Sequence, residues 1–265
     1  MILLQKQKGL EKYLVNSDLY RRDEVTLITA DRGQTETEAV LLCEHELGVV
    51  VNEQYVMRLI CTDQYLNELV MGRLLTDGFI ESAEDVYKIL FCKNRTEVSA
   101  FLINDIKLEA VVNEEKSCCT GNKILYSVKG RRPFRELPKP DYKPEWIFSM
   151  AERFEQGTEL HDITAGTHSC ILARKGEILF TCEDIGRHNA VDKAVGYGLS
   201  SGIPLSECIL YTSGRVPVDM VEKPIAAGIP LLASKSVPTA EAVDLARKYG
   251  LVIIGNARPD SMKVF

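Results

Sequence analysis

The sequence predicts an α/β fold built on a mostly parallel sheet, and three observations carry that expectation. Apolar runs at 177–182, 208–212, 231–233 and 251–254 each have strand length. Helical patterns lie between them, and strands alternating with helices favour parallel pairing through right-handed crossovers. Each run also ends in a polar turn, which places a candidate site along one edge of the sheet.

In chain order, runs at 47–51 and 55–60 flank Asn52-Glu53 and predict a hairpin. Thr62 or Asp63 is positioned to cap a helix with Leu66, Leu69, Val70 and Leu74 on one face, closed by Gly78. These N-terminal residues are expected to be core. The stretch Asn113-Glu114-Glu115-Lys116-Ser117-Cys118-Cys119-Thr120-Gly121-Asn122-Lys123 is polar and irregular, and is followed by Gly130-Arg131-Arg132-Pro133, Pro138-Lys139-Pro140 and Lys143-Pro144. That composition predicts a loop leading into a linker. The organisation expected is an α+β domain over 1–112, a mobile cysteine loop and linker over 113–145, and an α/β domain over 146–265.

In the C-terminal part, Gly186 turns the chain after the run at 177–182. Asn189 is placed to cap a helix with Ala190, Val191, Ala194 and Val195 on its apolar face. The run at 208–212 ends in Ser213-Gly214-Arg215 and precedes a helix at 220–227; that at 231–233 ends in Ser234-Lys235-Ser236. Thr239 caps a helix at 240–249 with Gly250 as its C-cap, and the run at 251–254 ends in Gly255-Asn256-Ala257-Arg258.

Packing alone would not ask for the dense polar string at 183–193. Arg187, Arg215, Lys235 and Arg258, with glycine turns and a helix amino end, would form a cradle for phosphates. His168 and His188 are expected to approach the same crevice, whereas His45 and His161 read as neutral rings bonded to loop carbonyls.

The eight cysteines form no CxxC pair, and most should be reduced core residues. Cys118 and Cys119 are the exception, because Lys116 and Lys123 would favour a nucleophilic thiolate. A vicinal disulfide, half of a metal site and accidental surface cysteines are the alternatives. Zinc is disfavoured because no second ligand pair stands at the usual spacing, so no metal is expected. At 265 residues and a net charge of -6, the chain can bury a full core and carries no basic excess for coating nucleic acid. Met1-Ile2-Leu3-Leu4 is too short for a signal or span, and no run reaches about 18 apolar residues, so a soluble cytoplasmic protein without membrane association is expected.

The combination Gly166-Thr167-His168, Glu183-Asp184-Ile185-Gly186-Arg187-His188-Asn189-Ala190-Val191-Asp192-Lys193, Ser213-Gly214-Arg215, Lys223, Ala227-Gly228-Ile229-Pro230 and Pro238-Thr239 closely resembles the FdhD family, sulfurtransferase accessory proteins of formate dehydrogenases. Val51-Asn52-Glu53, Thr62, Leu69, Gly72-Arg73-Leu74-Leu75 and Asp77-Gly78-Phe79-Ile80 extend the resemblance to roughly residues 40–265. It implies a small N-terminal domain, a cytidine-deaminase-like α/β domain and a homodimer. It also implies a carrier that takes persulfide sulfur from a cysteine desulfurase and passes it to the molybdenum cofactor, bis-molybdopterin guanine dinucleotide, before insertion into formate dehydrogenase. GDP-like nucleotides would be analogues of that ligand.

The candidate catalytic residues are Cys118, with Cys119 adjacent. The candidate cofactor-binding set is His168, Glu183, Asp184, Arg187, His188, Asn189, Asp192, Lys193, Ser213, Gly214, Arg215, Ser234, Asn256, Ala257, Arg258, Pro259, Asp260 and Ser261. Asp184, Asn189 and Asp192 are the candidates for a purine edge. Ser117-Cys118-Cys119-Thr120-Gly121 departs from the family's CGxCG pattern, and Pro224 and Asn256 replace more usual residues. A guanine-nucleotide or cofactor-binding chaperone without sulfur transfer is therefore the alternative. A zinc nucleotide deaminase would need H-x-E and P-C-x-x-C, and the chain has neither.

Overall fold

A computed structural model describes residues 19–114, 121–130 and 133–265. The described residues open with a two-stranded ribbon, β1 (Tyr20–Ile28) against β2 (Gln34–Leu42). Next come β3 (His45–Val51), β4 (Gln54–Cys61), helix α1 (Leu66–Thr76), β5 (Val86–Phe91), β6 (Glu97–Leu102), β7 (Leu108–Glu114) and β8 (Lys123–Val128). These form a sheet in the order β5-β6-β3-β4-β8-β7. The predicted hairpin is β3–β4. Its turn residues Asn52 and Glu53 both take positive φ, 44° and 69°, which matches the right-handed twist of the flanking strands. Asn52 fits because its Oδ1 accepts the Leu102 N–H at 2.8 Å.

Two expectations change here. The helix is capped by neither Thr62 nor Asp63: it starts after Tyr65, which is in the left-handed region at φ 53°, and Thr62 is recruited elsewhere. The segment expected to be loop and linker over 113–145 contains β8, whose Ile124, Tyr126 and Val128 alternate onto the apolar core.

The second half holds helices α2 (Pro144–Glu155) and α3 (Glu159–Thr164), strands β9 (His168–Arg174) and β10 (Glu177–Asp184), then α4 (Arg187–Ser200), β11 (Cys208–Thr212), α5 (Val218–Ala227), β12 (Leu231–Ser234), α6 (Ala240–Tyr249), β13 (Val252–Gly255) and β14 (Lys263–Val264). Its sheet runs β10-β9-β11-β12-β13-β14. The fold is mixed α/β, and the sheet is mixed rather than mostly parallel. Only β11–β12 and β12–β13 pair in parallel; β9–β10, β9–β11 and β13–β14 are antiparallel. The reason is local: Lys175 and Gly176, at φ 50° and 83°, make a two-residue turn that leaves no room for a crossover helix.

Alternating side chains divide the second sheet between two layers. Cys170, Leu172 and Leu210 face the core that holds α1 and α4, while Ile171, Ile209 and Tyr211 pack under α2 with Ile147 and Met150. The first core is continuous across both halves, joining Leu47 and Val98 to Val191 and Ile253. Its centre is the crossing of α1 and α4. A Cβ on Gly72 would collide with the Asp192 carbonyl, and one on Gly196 with that of Glu68, so both glycines are needed for the backbones to approach.

Candidate functional site

The parallel strands β11, β12 and β13 end side by side, and the antiparallel pair brings His168 at the start of β9 opposite Asp184 at the end of β10. The polar turns after these strands knit together through short hydrogen bonds. Ser213 Oγ accepts the Ser169 N–H at 3.1 Å and lies 3.3 Å from His168 Nδ1. Ser234 Oγ donates to the Gly214 carbonyl at 2.7 Å and accepts the Ser236 N–H at 2.9 Å. Ala257 N–H donates to Ser234 O, Asn256 N–H to Ser236 O, and Tyr211 Oη to the Ala257 carbonyl. The Arg258 N–H donates to Ser261 O and closes a turn over Pro259 and Asp260.

Four cations border this edge to different extents. Arg187 is buried, and its Cβ and Cδ lie 3.0 Å from where a Cβ on Gly214 would be, so that glycine makes room for the arginine stem. Arg215 is exposed, and Lys235 and Arg258 are half-buried. Lys235 Nζ lies 6.0 Å over the Phe154 ring. Arg258 Nη1 is buried and has no hydrogen-bond partner among the described residues. A buried donor left this way costs stability unless something supplies an acceptor. Burial, with Arg187 adding to it, lowers the His168 pKa from its ordinary value, so a neutral ring is favoured. Burial pushes the Tyr211 hydroxyl up to about 12, which keeps it a donor to Ala257.

Behind the edge the polar string turns inward, and the capping expected of Asn189 changes. Gly186, not Asn189, is the N-cap of α4; Asn189 is the helix's third residue. Its Nδ2 donates to Ile60 O at 2.8 Å and to Asp184 Oδ1 at 2.9 Å, a use as a bridge that capping would forbid. Asp184 also accepts from the Thr62 N–H and lies 2.6 Å from Lys193 Nζ, with both ion-pair side chains fully buried. Asp192 accepts from Lys223 Nζ at 2.7 Å and Thr76 Oγ1 at 2.8 Å, and Arg73 Nη1 stands 3.6 Å away. Burial raises the Asp192 pKa while Lys223 and Arg73 oppose it. Glu183 accepts from the Thr158 and Thr167 hydroxyls and from the Leu160 and His161 N–H groups at the start of α3. His188 is buried with Nε2 3.2 Å from Asp219.

Glu183, Asp184, Asn189, Asp192 and Lys193 are therefore all buried, with hydrogen-bond or ion-pair partners inside the protein. His45 and His161 each meet a carbonyl as expected, a ring nitrogen lying 2.9 Å from Arg95 O and 3.0 Å from Thr167 O, respectively. Thr62, Arg73, Thr76 and Asn122 belong to the same polar interior, and nothing in local periodicity marks them.

Cys118 and Cys119 lie outside the described residues. Asn122 does not. It is fully buried, its Oδ1 accepts the Ile60 N–H at 2.8 Å, and its Nδ2 donates to Asn189 Oδ1 at 3.1 Å. The start of β8 thus hangs on the first turn of α4. Among the described residues, no group of three His, Cys, Asp or Glu side chains is arranged to hold a metal, and no helix is long and apolar enough to cross a membrane.

The fold and this edge define a mixed α/β protein with a cationic shelf at the carboxyl ends of parallel strands. The chain belongs to the FdhD/NarQ family, whose family model matches residues 42–265. Sulfur carrier protein FdhD of Streptomyces avermitilis is 34% identical over 215 residues, 74% of this chain and 76% of the relative. That of Saccharolobus solfataricus is 37% identical over 204 residues, 75% of this chain and 76% of the relative. A crystal structure of a formate dehydrogenase accessory protein from Desulfotalea psychrophila superposes with a TM-score of 0.73 at 24% identity, over 93% of this chain and 96% of that one, and shares the fold.

Proposed function

We propose that the protein is a sulfur carrier that accepts persulfide sulfur from a cysteine desulfurase on Cys118 and passes it to bis-molybdopterin guanine dinucleotide bound at the carboxyl edge, for use by formate dehydrogenase. The relatives named as sulfur carriers support the class of activity. The observation that carries the fuller reading is the Asn122–Asn189 hydrogen bond. Cys118 is four residues and Cys119 three residues before Asn122 in the sequence, so both thiols lie close along the chain to a residue that is bonded to the first turn of α4. A carrier whose sulfur-bearing cysteine lies so close in sequence to that anchor is suited to deliver to a ligand held beside α4.

The residues of the edge suit the phosphates of that substrate. Arg258 offers a buried donor without a partner among the described residues, Lys235 and Arg215 add charge, and Arg187 lies at the start of a fourteen-residue helix whose amino end favours anions. In the loading step, the Cys118 thiolate attacks the outer sulfur of the desulfurase persulfide, and the desulfurase thiolate leaves. In the delivery step a nucleophilic atom of the acceptor attacks the outer sulfur, the S–S bond breaks and the Cys118 thiolate leaves with its electron pair, with Lys116 and Lys123 near it in sequence.

Intact mass spectrometry after incubation with a cysteine desulfurase and cysteine tests this. The expected result is one added sulfur, removed by dithiothreitol, mapping to Cys118 and lost in Cys118→Ala. No added sulfur, from a desulfurase shown to load another acceptor, would leave a nucleotide- or cofactor-binding chaperone.

A further inference from the structure

We propose that a cleft between the start of β1, the amino end of α1 and the α2–α3 turn binds a free α-amino acid with an apolar side chain. None of the four cations of the carboxyl edge lines it, and the proposal does not depend on the function given above. Its volume is about 200 Å3, below the roughly 300–1,000 Å3 of sites for drug-sized molecules, so it suits a ligand of amino-acid size.

Glu183, Glu159 and Arg153 supply the charge in its lining. Glu183 is 8% exposed, and its two oxygens are used unequally. Oε1 accepts from Thr158 Oγ1, Thr167 Oγ1 and the His161 N–H, whereas Oε2 accepts only the Leu160 N–H. Among the described residues, a lone pair of this buried oxygen is therefore left over. Glu159 has no hydrogen-bond or ion-pair partner among the described residues, and burial, with the Glu183 charge adding to it, raises its pKa. Two carboxylates that repel each other across a small cleft favour a cation between them, and an ammonium brings three donors.

Arg153 argues against a bare cation as the whole ligand. Its Nη1 donates to Gly157 O at 3.1 Å, which fixes the guanidinium at the α2–α3 turn, and it makes no other hydrogen bond among the described residues. The remaining edge of such a fork suits a carboxylate. Ammonium at one end and carboxylate at the other is the head group of an α-amino acid. Leu160 and Ile163, three apart on α3 and so on one face, give apolar surface for its side chain. Tyr65 adds an aromatic rim: it is 43% exposed and packs edge-on to Phe180, ring centroids 4.9 Å apart. Its left-handed backbone, φ 53°, is a conformation that a bulky residue keeps only where its surroundings hold it.

The test titrates L-leucine, L-leucinamide and 4-methylpentanoate at pH 7 into the full-length protein, Glu159→Gln and Arg153→Gln, and follows the heat. L-leucine should bind saturably, and the other two probes, each lacking one charged group, about tenfold more weakly. Arg153→Gln should weaken L-leucine about tenfold and leave L-leucinamide unchanged, while Glu159→Gln should weaken L-leucine about tenfold and leave 4-methylpentanoate unchanged. Each comparison is made between probes on one variant, so an altered fold, which would move all probes together, is told apart from a lost charge. Absence of saturable L-leucine binding, equal affinity for the three probes, or a variant that shifts its two probes alike would each overturn the site. L-leucinamide binding as tightly as L-leucine would mark a pocket for a lysine-like ammonium instead, and would overturn it too.

Discussion

The string at 183–193 and the turns after β11, β12 and β13 look alike as sequence, being dense in charge and placed at strand ends, yet the protein uses them in opposite ways. Asp184, Asn189, Asp192 and Lys193 are fully buried and each finds its partner within the chain. Arg215, Lys235 and Arg258 keep solvent access, and Arg258 retains a buried donor with no hydrogen-bond partner among the described residues. The difference teaches that charge density marks a place where chemistry is needed, while the location of the partners decides whether that chemistry holds the fold or a ligand. Here the interior network joins β4, α1 and β8 to α4, and so sets the position of the edge that a ligand would meet.

The largest effect expected from breaking this comparison is on stability. Lys193→Met should cost about 3–5 kcal/mol in urea unfolding, because it leaves Asp184 charged and buried without its ion-pair partner. The double variant Lys193→Met, Asp184→Leu should recover part of that loss. Equal loss in both would mean that the pair's charge is not what matters. On the edge side, Thr239→Ala removes the hydroxyl that accepts the Ala242 N–H at the start of α6, and should cost about 1 kcal/mol in the same assay. No change would mean that water replaces the cap.

The smallest expected effect is the proton linkage of His168. Its folded pKa is lowered, so the unfolded chain binds more protons around and below pH 6.5, and the contribution to stability is full above that value and lost as pH falls through the lower folded value. His168→Gln should therefore lose less stability than the unaltered protein between neutral pH and pH 5. A steeper loss in the variant would contradict the assignment.

Elements governed by local chemistry were legible in the sequence. Thr239 and Gly250 bound α6 as expected, and Asn52-Glu53 turns β3 into β4. The antiparallel β9–β10 pair was signalled only by the short Lys175-Gly176 turn, which the surrounding helix–strand alternation masked. The role of Asn189 was not legible, since its amide is claimed by Ile60, 129 positions away, and no local pattern reports such a partner. For the same reason Asn122 read as loop while it is fully buried. The edge itself was placed by strand ends alone, but which of its charges face outward depended on tertiary packing.

The most direct measurement is GDP binding by calorimetry to the unaltered protein and to Arg258→Ala, with the unfolding midpoint recorded for both. If the edge is the phosphate site, GDP binds the unaltered protein, Arg258→Ala weakens it by about tenfold or more, 1.4 kcal/mol, and added salt narrows the gap, while the midpoint stays put. Equal affinity in the two proteins, or a loss that only accompanies a fall in the midpoint, would contradict it.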